Sequence, residues 1–379
     1  MKRLTIQPRD NWRAKLEQIG FTFHSVGGVY WNEAACYEFT AGEIDYIEAT
    51  TAELHDMCIK AADHIIGNKL YSRLGINPAF VPLIERSWDT DERSIYGRFD
   101  FIYDGYDDLK LLEYNADTPT SLIEASVAQW TWLEEVQPGC DQFNSIHEKL
   151  VACFRQLRQE LPMETTFFFS CIHDSQEDFV NVEYLRDTAM QAGFATRHVF
   201  VEDIGYSKET GLFYDAENYE IACLFKLYPW EWMTADEFGR HLLTSPVRVF
   251  EPAWKMLLSN KGILPVLGEL YPQHPNLLSA FFEHEKLQGA PFVRKPLLSR
   301  EGANIVYDDG AGTPLRTDGG YGAEGYIYQQ LKKIPCFDGS YPVMGSWIIA
   351  GEPAGIGIRE DDTPVTTNTS RFVPHFFKP

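Results

Sequence analysis

The chain has 379 residues, of which 44% are hydrophobic and 23% are charged, and its formal net charge is −22. This length and composition predict a folded protein with two or three domains and argue against an intrinsically disordered chain. The negative charge argues against general nucleic-acid binding, which needs a basic surface, and against docking on anionic membranes.

The seven cysteines are scattered and form no C-x-x-C pair, which is typical of reduced thiols rather than disulfides or a zinc site. The start, M-K-R-L-T-I-Q-P-R-D, has no apolar core of a signal peptide, and no later run is long enough to span a bilayer. We therefore expect a cytoplasmic protein with neither a nucleic-acid nor a membrane partner.

The region up to about Asn77 is predicted to be mainly helical. Between Ile44 and Ile65 the apolar residues recur at spacings of three and four, which is typical of an amphipathic helix. Nothing in this region indicates a function.

The segment 94–124 contains two predicted strands around an Asp-Gly-Tyr-Asp-Asp turn. Arg98 and Asp100 are two residues apart on the first strand and share a face, and Glu113 and Asn115 share a face on the second. One face of this hairpin is therefore predicted to carry two carboxylates, an amide and a guanidinium.

The register of this hairpin decides which of these groups meet. If Asp104 pairs with Leu109 across the turn, the two carboxylates are direct cross-strand partners, as are the arginine and the asparagine. Like charges in that position destabilise a hairpin by roughly several tenths of a kcal/mol, so a bound cation is the natural explanation. Oxygen ligands without His or Cys favour Mg²⁺ with nucleotide phosphates in the remaining positions, while the alternative is a solvated hairpin face.

The loop after the hairpin carries hydroxyls at the start of an apolar helix. Thr118, Thr120 and Ser121 are all competent N-caps, and Ser121 with Glu124 has the spacing of a capping box. Helix capping accounts for these residues, but the free N–H groups of a helix start could also bind a substrate carboxylate.

Residues 165–252 alternate between strands and helices, which predicts a small parallel α/β layer. The predicted strands are Thr165–Ile172, Thr196–Val201, Glu220–Lys226 and Val247–Phe250, with a helix over Val182–Ala192.

A dinucleotide site is not indicated in this layer, because no G-x-G-x-x-G follows its first strand. Lys226 and Trp230 to Trp232 follow its third strand, where ligand-binding groups lie in such sheets, although buried tryptophans are also common in cores.

The last third of the chain carries cationic residues suited to phosphate. Lys261 follows an apolar helix, and Lys295 lies on a predicted strand that leads into the loop from Ser299 to Gly302. A lysine followed by a glycine-bearing hydroxyl loop can clamp phosphate, with Ser299 and backbone N–H groups meeting the oxygens. It is not a P-loop, and a plain hairpin is the alternative.

Two more predicted elements complete this third. The strand Gly325–Leu331 leads to Lys332 and could bind a purine edge through its backbone. A hairpin of Val343–Ala350 and Ala354–Ile358 brings Arg359 to the end of a strand.

Together these motifs have a family resemblance. Arg98-x-Asp100, Glu113-x-Asn115-Ala-Asp-Thr-Pro-Thr-Ser121, Ser259-Asn-Lys261, Lys295-Pro-x-x-Ser-Arg-Glu-Gly302 and Gly357-Ile-Arg359 occur in this order. The chain resembles the synthetase half of glutathionylspermidine synthase, and more closely the stand-alone acid–amine ligases of that family. The amidase half of the bifunctional enzymes is not part of the resemblance.

The resemblance implies a mixed α+β and α/β fold, the circularly permuted, glutathione-synthetase-like ATP-grasp, with a small parallel α/β domain. We expect residues 1–164 to form the first part of the body with the metal-binding hairpin. Residues 165–252 would form the substrate-side α/β domain, and residues 253–379 the lid and the rest of the body.

The resemblance also implies roles for individual residues. The ligands of two Mg²⁺ ions, in the family's scheme, would be Asp100, Glu113 and Asn115. ATP binding falls to Lys261, Lys295, Ser299, Glu301, Gly302, Gln329, Gln330, Leu331 and Lys332. Arg98 and Arg359 would hold the reacting acid and its phosphorylated form, and substrate binding would involve Arg98, Thr118, Thr120, Ser121 and Lys226.

The implied reaction is ATP-dependent amide formation. ATP converts a carboxylate to an acyl phosphate, an amine attacks it, and phosphate leaves, while the protein positions the groups and stabilises phosphoryl charge. The acid could be glutathione or another peptide, and the amine a polyamine, which the acidic surface would attract.

The sequence departs from the family at one substrate position, since Lys226 is followed by Leu227 where the family's glutathione site has a threonine. The acid and the amine therefore stay open. The alternatives are a true glutathionylspermidine synthetase, a non-catalytic ATP-binding protein of the same fold, and a glycoside hydrolase, suggested by the carboxylates and the 14% aromatic content.

Overall fold

The computed structural model describes residues 1–25, 27–106, 108–300, 302–367 and 370–378. The strands in these ranges are β1 (Lys2–Thr5), β2 (Ala35–Thr40), β3 (Tyr96–Tyr103), β4 (Leu109–Asn115), β5 (Thr166–Cys171), β6 (Ala195–Phe200), β7 (Gly205–Ser207), β8 (Leu212–Tyr214), β9 (Cys223–Lys226), β10 (Arg248–Phe250), β11 (Ala280–Phe281), β12 (Phe292–Pro296), β13 (Val306–Asp308), β14 (Leu315–Arg316), β15 (Tyr326–Gln330), β16 (Tyr341–Ile349), β17 (Glu352–Asp361), β18 (Arg371–Val373) and β19 (His375–Lys378). The helices are α1 (Trp12–Gln18), α2 (Ala41–Gly67), α3 (Val81–Asp89), α4 (Gln129–Val136), α5 (Ile146–Glu160), α6 (Gln176–Gln191), α7 (Trp230–Ala235), α8 (Met256–Ser259) and α9 (Ile263–Leu270).

The central sheet is antiparallel and has the order β18-β17-β16-β3-β4, so it combines strands from both ends of the chain. The hairpin β3–β4 joins it through β16, where Asp100 lies opposite Gly345. The predicted β16–β17 hairpin is confirmed, but β17 continues to Asp361, so Arg359 lies within the strand rather than at its end. A second small sheet, β1-β2-β19, also joins the two ends of the chain.

The parallel sheet has the order β10-β9-β5-β6 and confirms the predicted α/β layer. Its inner strand β5 is buried from Phe167 to Cys171, with an apolar centre at Phe167–Phe169, because both of its faces are covered. Phe168 packs into one core cluster, whereas Phe167 and Phe169 pack into the other.

The outer sheet has the order β11-β15-β12-β13-β14 and is antiparallel. The pairing of β12 with β15 sets Lys295 opposite Ile327 and Val293 opposite Gln329. The loop between β12 and β13 contains the predicted phosphate-binding residues.

Helix α2 is the predicted amphipathic helix, and its buried stripe includes Ile44, Leu54 and Ile65. It begins with a capping box in which Thr40 accepts from the backbone N–H of Glu43, and the Glu43 carboxylate accepts from that of Thr40. Within the described ranges, every helix is too short or too polar to cross a bilayer. The architecture is therefore mixed α/β, with one parallel sheet and several antiparallel ones.

Candidate active site

The hairpin β3–β4 presents its polar groups as the sequence predicted. Asp100 pairs with Glu113 and Arg98 with Asn115 across the strands. The prediction for the turn was wrong, because Tyr103 rather than Asp104 pairs with Leu109.

A β-bulge at Leu112 reconciles the two registers. The extra residue shifts the pairing by one between Asp100 and Phe101, so the carboxylates still face each other. The bulge leaves the Leu112 carbonyl available, and it accepts a hydrogen bond from Lys295 Nζ at 3.0 Å.

Protein cations compensate the two facing carboxylates. Arg98 binds Asp100 through two hydrogen bonds of 2.7 and 3.1 Å, and Arg359 Nη2 lies 3.4 Å from the same carboxylate. Lys261 Nζ lies 3.0 Å from Glu113 Oε2. These contacts offset the repulsion between the two carboxylates, which the sequence analysis explained by a bound cation. The facing carboxylates alone therefore do not require a metal.

Lys261 and Lys295 lower the pKa of the Glu113 carboxyl. Partial burial raises the pKa of Glu113, but the ammonium groups of Lys261 and Lys295 more than offset it and lower that pKa to about 2. Burial lowers the pKa of Lys295 to about 8, and Lys261 acts in the same direction against the attraction of Glu113 and Asp100. Lys295 also donates to Gln329 Oε1 at 2.8 Å.

The donor set of the hairpin fits a hard divalent cation. Asn115 Nδ2 lies 3.1 Å from Asp100 and 3.2 Å from Glu113, and turning the amide would bring its oxygen to the same place. The described residues contain no group of three His, Cys, Asp or Glu side chains suited to a metal. Two carboxylates and an amide leave positions for phosphate oxygens, as Mg²⁺ sites for nucleotides do.

A cleft of about 340 Å³ collects most of the predicted residues. The predicted residues that line it are Arg98, Asp100, Glu113, Asn115, Thr118, Thr120, Lys261, Lys295, Ser299, Gly302, Gln329, Gln330, Leu331, Lys332 and Arg359. Glu301 lies outside the described residues. The acidic hairpin from the first third and the cations from the last third therefore share one cavity.

Two of the predicted substrate residues do not line this cleft. Ser121 is buried in the left-handed region at φ +71°, with its hydroxyl 3.3 Å from that of Tyr30. The predicted capping box is wrong, because the Glu124 carboxylate accepts from Tyr30 instead. Lys226 is completely buried and forms an ion pair with Asp117.

At the end of β15, which the sequence predicted to bind the purine, some backbone groups already have hydrogen-bond partners within the protein. The N–H groups of Gln330 and Leu331 donate to the carbonyls of Ser279 and Pro291, so a purine would have to meet other groups of this segment. Lys332 forms an ion pair with Asp108. The roles of these residues as ATP ligands stay predictions.

The sequence reasoning missed several cleft residues. Glu177 and Asp178 lie in the first turn of α6, directly after β5, and line the cleft. Trp232, which the sequence placed after the third strand of the parallel layer, and Arg300, from the predicted phosphate loop, line it too. Ligand-binding groups lie where parallel strands end. The argument that predicted binding groups after β9 would therefore also have predicted Glu177 and Asp178 after β5.

Comparison with known proteins shows the family of the chain. The family model described as glutathionylspermidine synthase preATP-grasp matches residues 3–378. The chain therefore belongs to the glutathionylspermidine synthase family.

The names of individual relatives indicate the class of enzyme. A Haemophilus influenzae protein named "Putative acid–amine ligase" is 46% identical over 395 residues, which cover 100% of both chains. Trypanothione synthetase of Crithidia fasciculata is 29% identical over 84% of this chain, which spans only 53% of that protein. The chain is accordingly an ATP-dependent carbon–nitrogen ligase, as the sequence predicted.

A solved structure supports the fold alone. The apo form of a glutathione synthetase-like effector from Globodera pallida superposes with a TM-score of 0.58 at 10% identity. The match covers 90% of this chain and 88% of the effector.

Proposed function

We propose that this enzyme joins a carboxylic acid to an amine through an acyl-phosphate intermediate. The observation that supports the proposal most is the single cleft shared by Asp100, Glu113, Lys261, Lys295 and Arg359. Two carboxylates suited to a metal and cations suited to phosphate, in one cavity, are what positioning Mg·ATP against a carboxylate requires.

We also propose that the fold is an ATP-grasp of the circularly permuted, glutathione-synthetase-like kind. The nucleotide would lie between the central and outer sheets, which already meet through the Lys295–Leu112 hydrogen bond. The domain boundaries remain those expected from the sequence, after residues 164 and 252.

In the proposed first step, a carboxylate oxygen attacks the γ-phosphorus of ATP, and the bond to the ADP oxygen breaks. Asp100, Glu113 and the Asn115 amide oxygen would hold Mg²⁺, which neutralises phosphate charge. Lys261 and Lys295 would bind the phosphates, and Arg359 would stabilise charge on the transferred group.

In the second step, the amine nitrogen attacks the acyl carbon, the carbon–oxygen bond to phosphate breaks, and the nitrogen gives its proton to the departing phosphate. Arg98 would hold the acid, since it lines the cleft and its guanidinium already orders the neighbouring Thr120 carbonyl at 2.6 Å. The loop between β12 and β13 would exclude the water that otherwise hydrolyses the intermediate.

The substrate classes are an acid, with glutathione or another peptide as candidates, and an amine, with a polyamine as candidate. The family name and the net charge of −22 support a polycationic amine. Leu227 lines the cleft and presents an apolar side chain to whatever acid binds there.

The test is a screen for ADP release over a matrix of carboxylates and amines, with product masses measured. We expect at least one pair to give ADP in proportion to an amide product. Glutathione with spermidine giving that product would identify a true glutathionylspermidine synthetase. ADP release that never depends on both an acid and an amine would contradict the proposal.

A further inference from the structure

Lys226 and Asp117 form an ion pair that is closed off from solvent. Their side chains are 0% and 2% exposed, and Lys226 Nζ lies 2.5 Å from Asp117 Oδ1. The second oxygen of Asp117 accepts from the backbone N–H of Trp230 at 2.9 Å, and the Lys226 ammonium lies 4.8 Å from the Trp230 ring centre. The pair therefore ties the loop after β4 to the end of β9.

The loop that Asp117 begins is held at several further points. Arg98 donates to the Thr120 carbonyl at 2.6 Å, and the N–H of Leu122 donates to Asn181 at 2.8 Å. Arg300 donates to the Thr118 carbonyl at 3.3 Å. Three different parts of the molecule thus fix the backbone of this loop.

The loop presents one buried polar group without a partner. Thr118 is 5% exposed and lines the cleft, and its hydroxyl oxygen has no hydrogen-bond partner among the described residues. A buried hydroxyl left unpaired lowers stability unless a ligand or an ordered water pairs with it. A ligand that binds in the cleft could therefore supply the hydrogen-bond partner that the Thr118 hydroxyl lacks.

We infer that Asp117 and Lys226 are positioning residues, which hold this loop so that the Thr118 hydroxyl meets the acid substrate, and that Lys226 itself does not contact the substrate. A buried ion pair can often be replaced by apolar residues without loss of stability, so stability alone is a weak reason to retain one. The inference rests on the proposed function only in assuming that an acid binds beside Thr118.

Hydrogen exchange tests the positioning without requiring activity. Lys226→Met should raise amide exchange in residues 116–122 by about tenfold or more, because Asp117 loses its anchor. The double variant Asp117→Asn/Lys226→Met carries no unpaired charge, so it should recover thermal stability but not this protection. Wild-type exchange of residues 116–122 in the double variant would overturn the inference.

A matched control removes a different buried cation. Arg9→Met breaks the Arg9–Glu33 pair, whose side chains are 5% and 2% exposed. It should lower thermal stability while leaving exchange of residues 116–122 unchanged. Equal loss of protection in both variants would make the effect one of general stability and contradict positioning.

Kinetics then separate positioning from a structural role. Asp117→Glu keeps both charges but lengthens the link by one methylene, so it should displace the loop while the fold persists. We expect the KM of the carboxylate chosen by the screen to rise about tenfold or more and the KM of Mg·ATP to stay within about twofold. An unchanged carboxylate KM would overturn the inference. A screen that finds no substrate would instead contradict the proposed function, and hydrogen exchange would still decide this point.

Discussion

Glu113 is half-buried and keeps its charge because Lys261 and Lys295, from the last third of the chain, lie close to it. The dependence is mutual, since Glu113 and Asp100 oppose the loss of a proton from Lys295. The charges of Glu113 and Lys295 therefore depend on each other, and a substitution at one changes the charge at the other.

Glu113→Gln should lower ADP release by about 100-fold or more, because it removes one anionic ligand of the metal and weakens the charge on Lys295. The melting temperature should stay within a few degrees, and steady-state kinetics with circular dichroism would measure both. The control is Glu352→Gln, whose side chain is 72% exposed at the far end of the central sheet. Normal turnover in Glu113→Gln would remove this residue from the metal site.

The lowered pKa of Lys295 predicts a pH dependence of nucleotide binding. Lys295 is charged below pH 8 and loses its proton as the pH rises through about 8, so the affinity for Mg·ATP should fall between pH 7 and pH 9. Calorimetric titration at the two pH values would measure the loss. Lys295→Arg stays protonated over this range and should show a flatter profile, whereas equal profiles would contradict the assignment.

The hairpin is the element whose prediction succeeded for an identifiable reason. Residues two apart on a strand share a face, so Arg98 with Asp100 and Glu113 with Asn115 followed from spacing alone. The bulge at Leu112 did not follow, because a bulge depends on the sheet and side chains packed against the strand rather than on local spacing.

Gly302, in the loop between β12 and β13, is a position at which a side chain should not be tolerated. This glycine has φ +70°, and a Cβ there would lie 2.9 Å from the Thr366 carbonyl oxygen. Gly302→Ala should therefore strain the backbone, displace the loop from residues 363–367 and lower kcat by about tenfold or more in steady-state kinetics.

A glycine in the neighbouring loop between β14 and β15 tests whether this effect is local. Gly320→Ala meets no atom within 4 Å and needs no left-handed backbone, so its kcat should be that of the wild type. Equal loss of kcat in both variants would show that the loop responds to any substitution nearby.

Lys226 illustrates a limit of reasoning from elements. Its place at the end of β9 was predicted correctly, but strand position does not reveal whether a side chain faces the cleft or a buried partner. Asp117 lies 109 residues earlier in the chain, and no local pattern links the two.

At the scale of the whole molecule, the cleft exists only because distant parts of the chain meet. Sequence motifs identified the family and most of the charged residues of the cleft, since each motif is local. The ion pairs that close the cleft could not be predicted, because no local pattern encodes them. Asp100 and Arg359 lie on strands of the central sheet that are 259 residues apart in the chain. Lys261 reaches Glu113 from the segment between α8 and α9.

Mg·ATP should stabilise the folded chain, because a ligand that bridges the hairpin and the outer sheet binds the native state only. At about 100 times its dissociation constant it should add about 2.7 kcal/mol and raise the melting temperature by several degrees. Differential scanning fluorimetry would measure the shift, and EDTA should remove most of it. The same shift with and without EDTA would mean that the metal does not participate in nucleotide binding.

The order of strands in the central sheet has a consequence for biosynthesis. Asp100 on β3 is paired with Gly345 on β16, so the hairpin leaves the ribosome long before its neighbour has been translated. Until then it exposes an unsatisfied strand edge, and Arg359, which binds Asp100 in the folded chain, has not yet been translated. A nascent chain stalled before Tyr341 is thus a natural client for a chaperone.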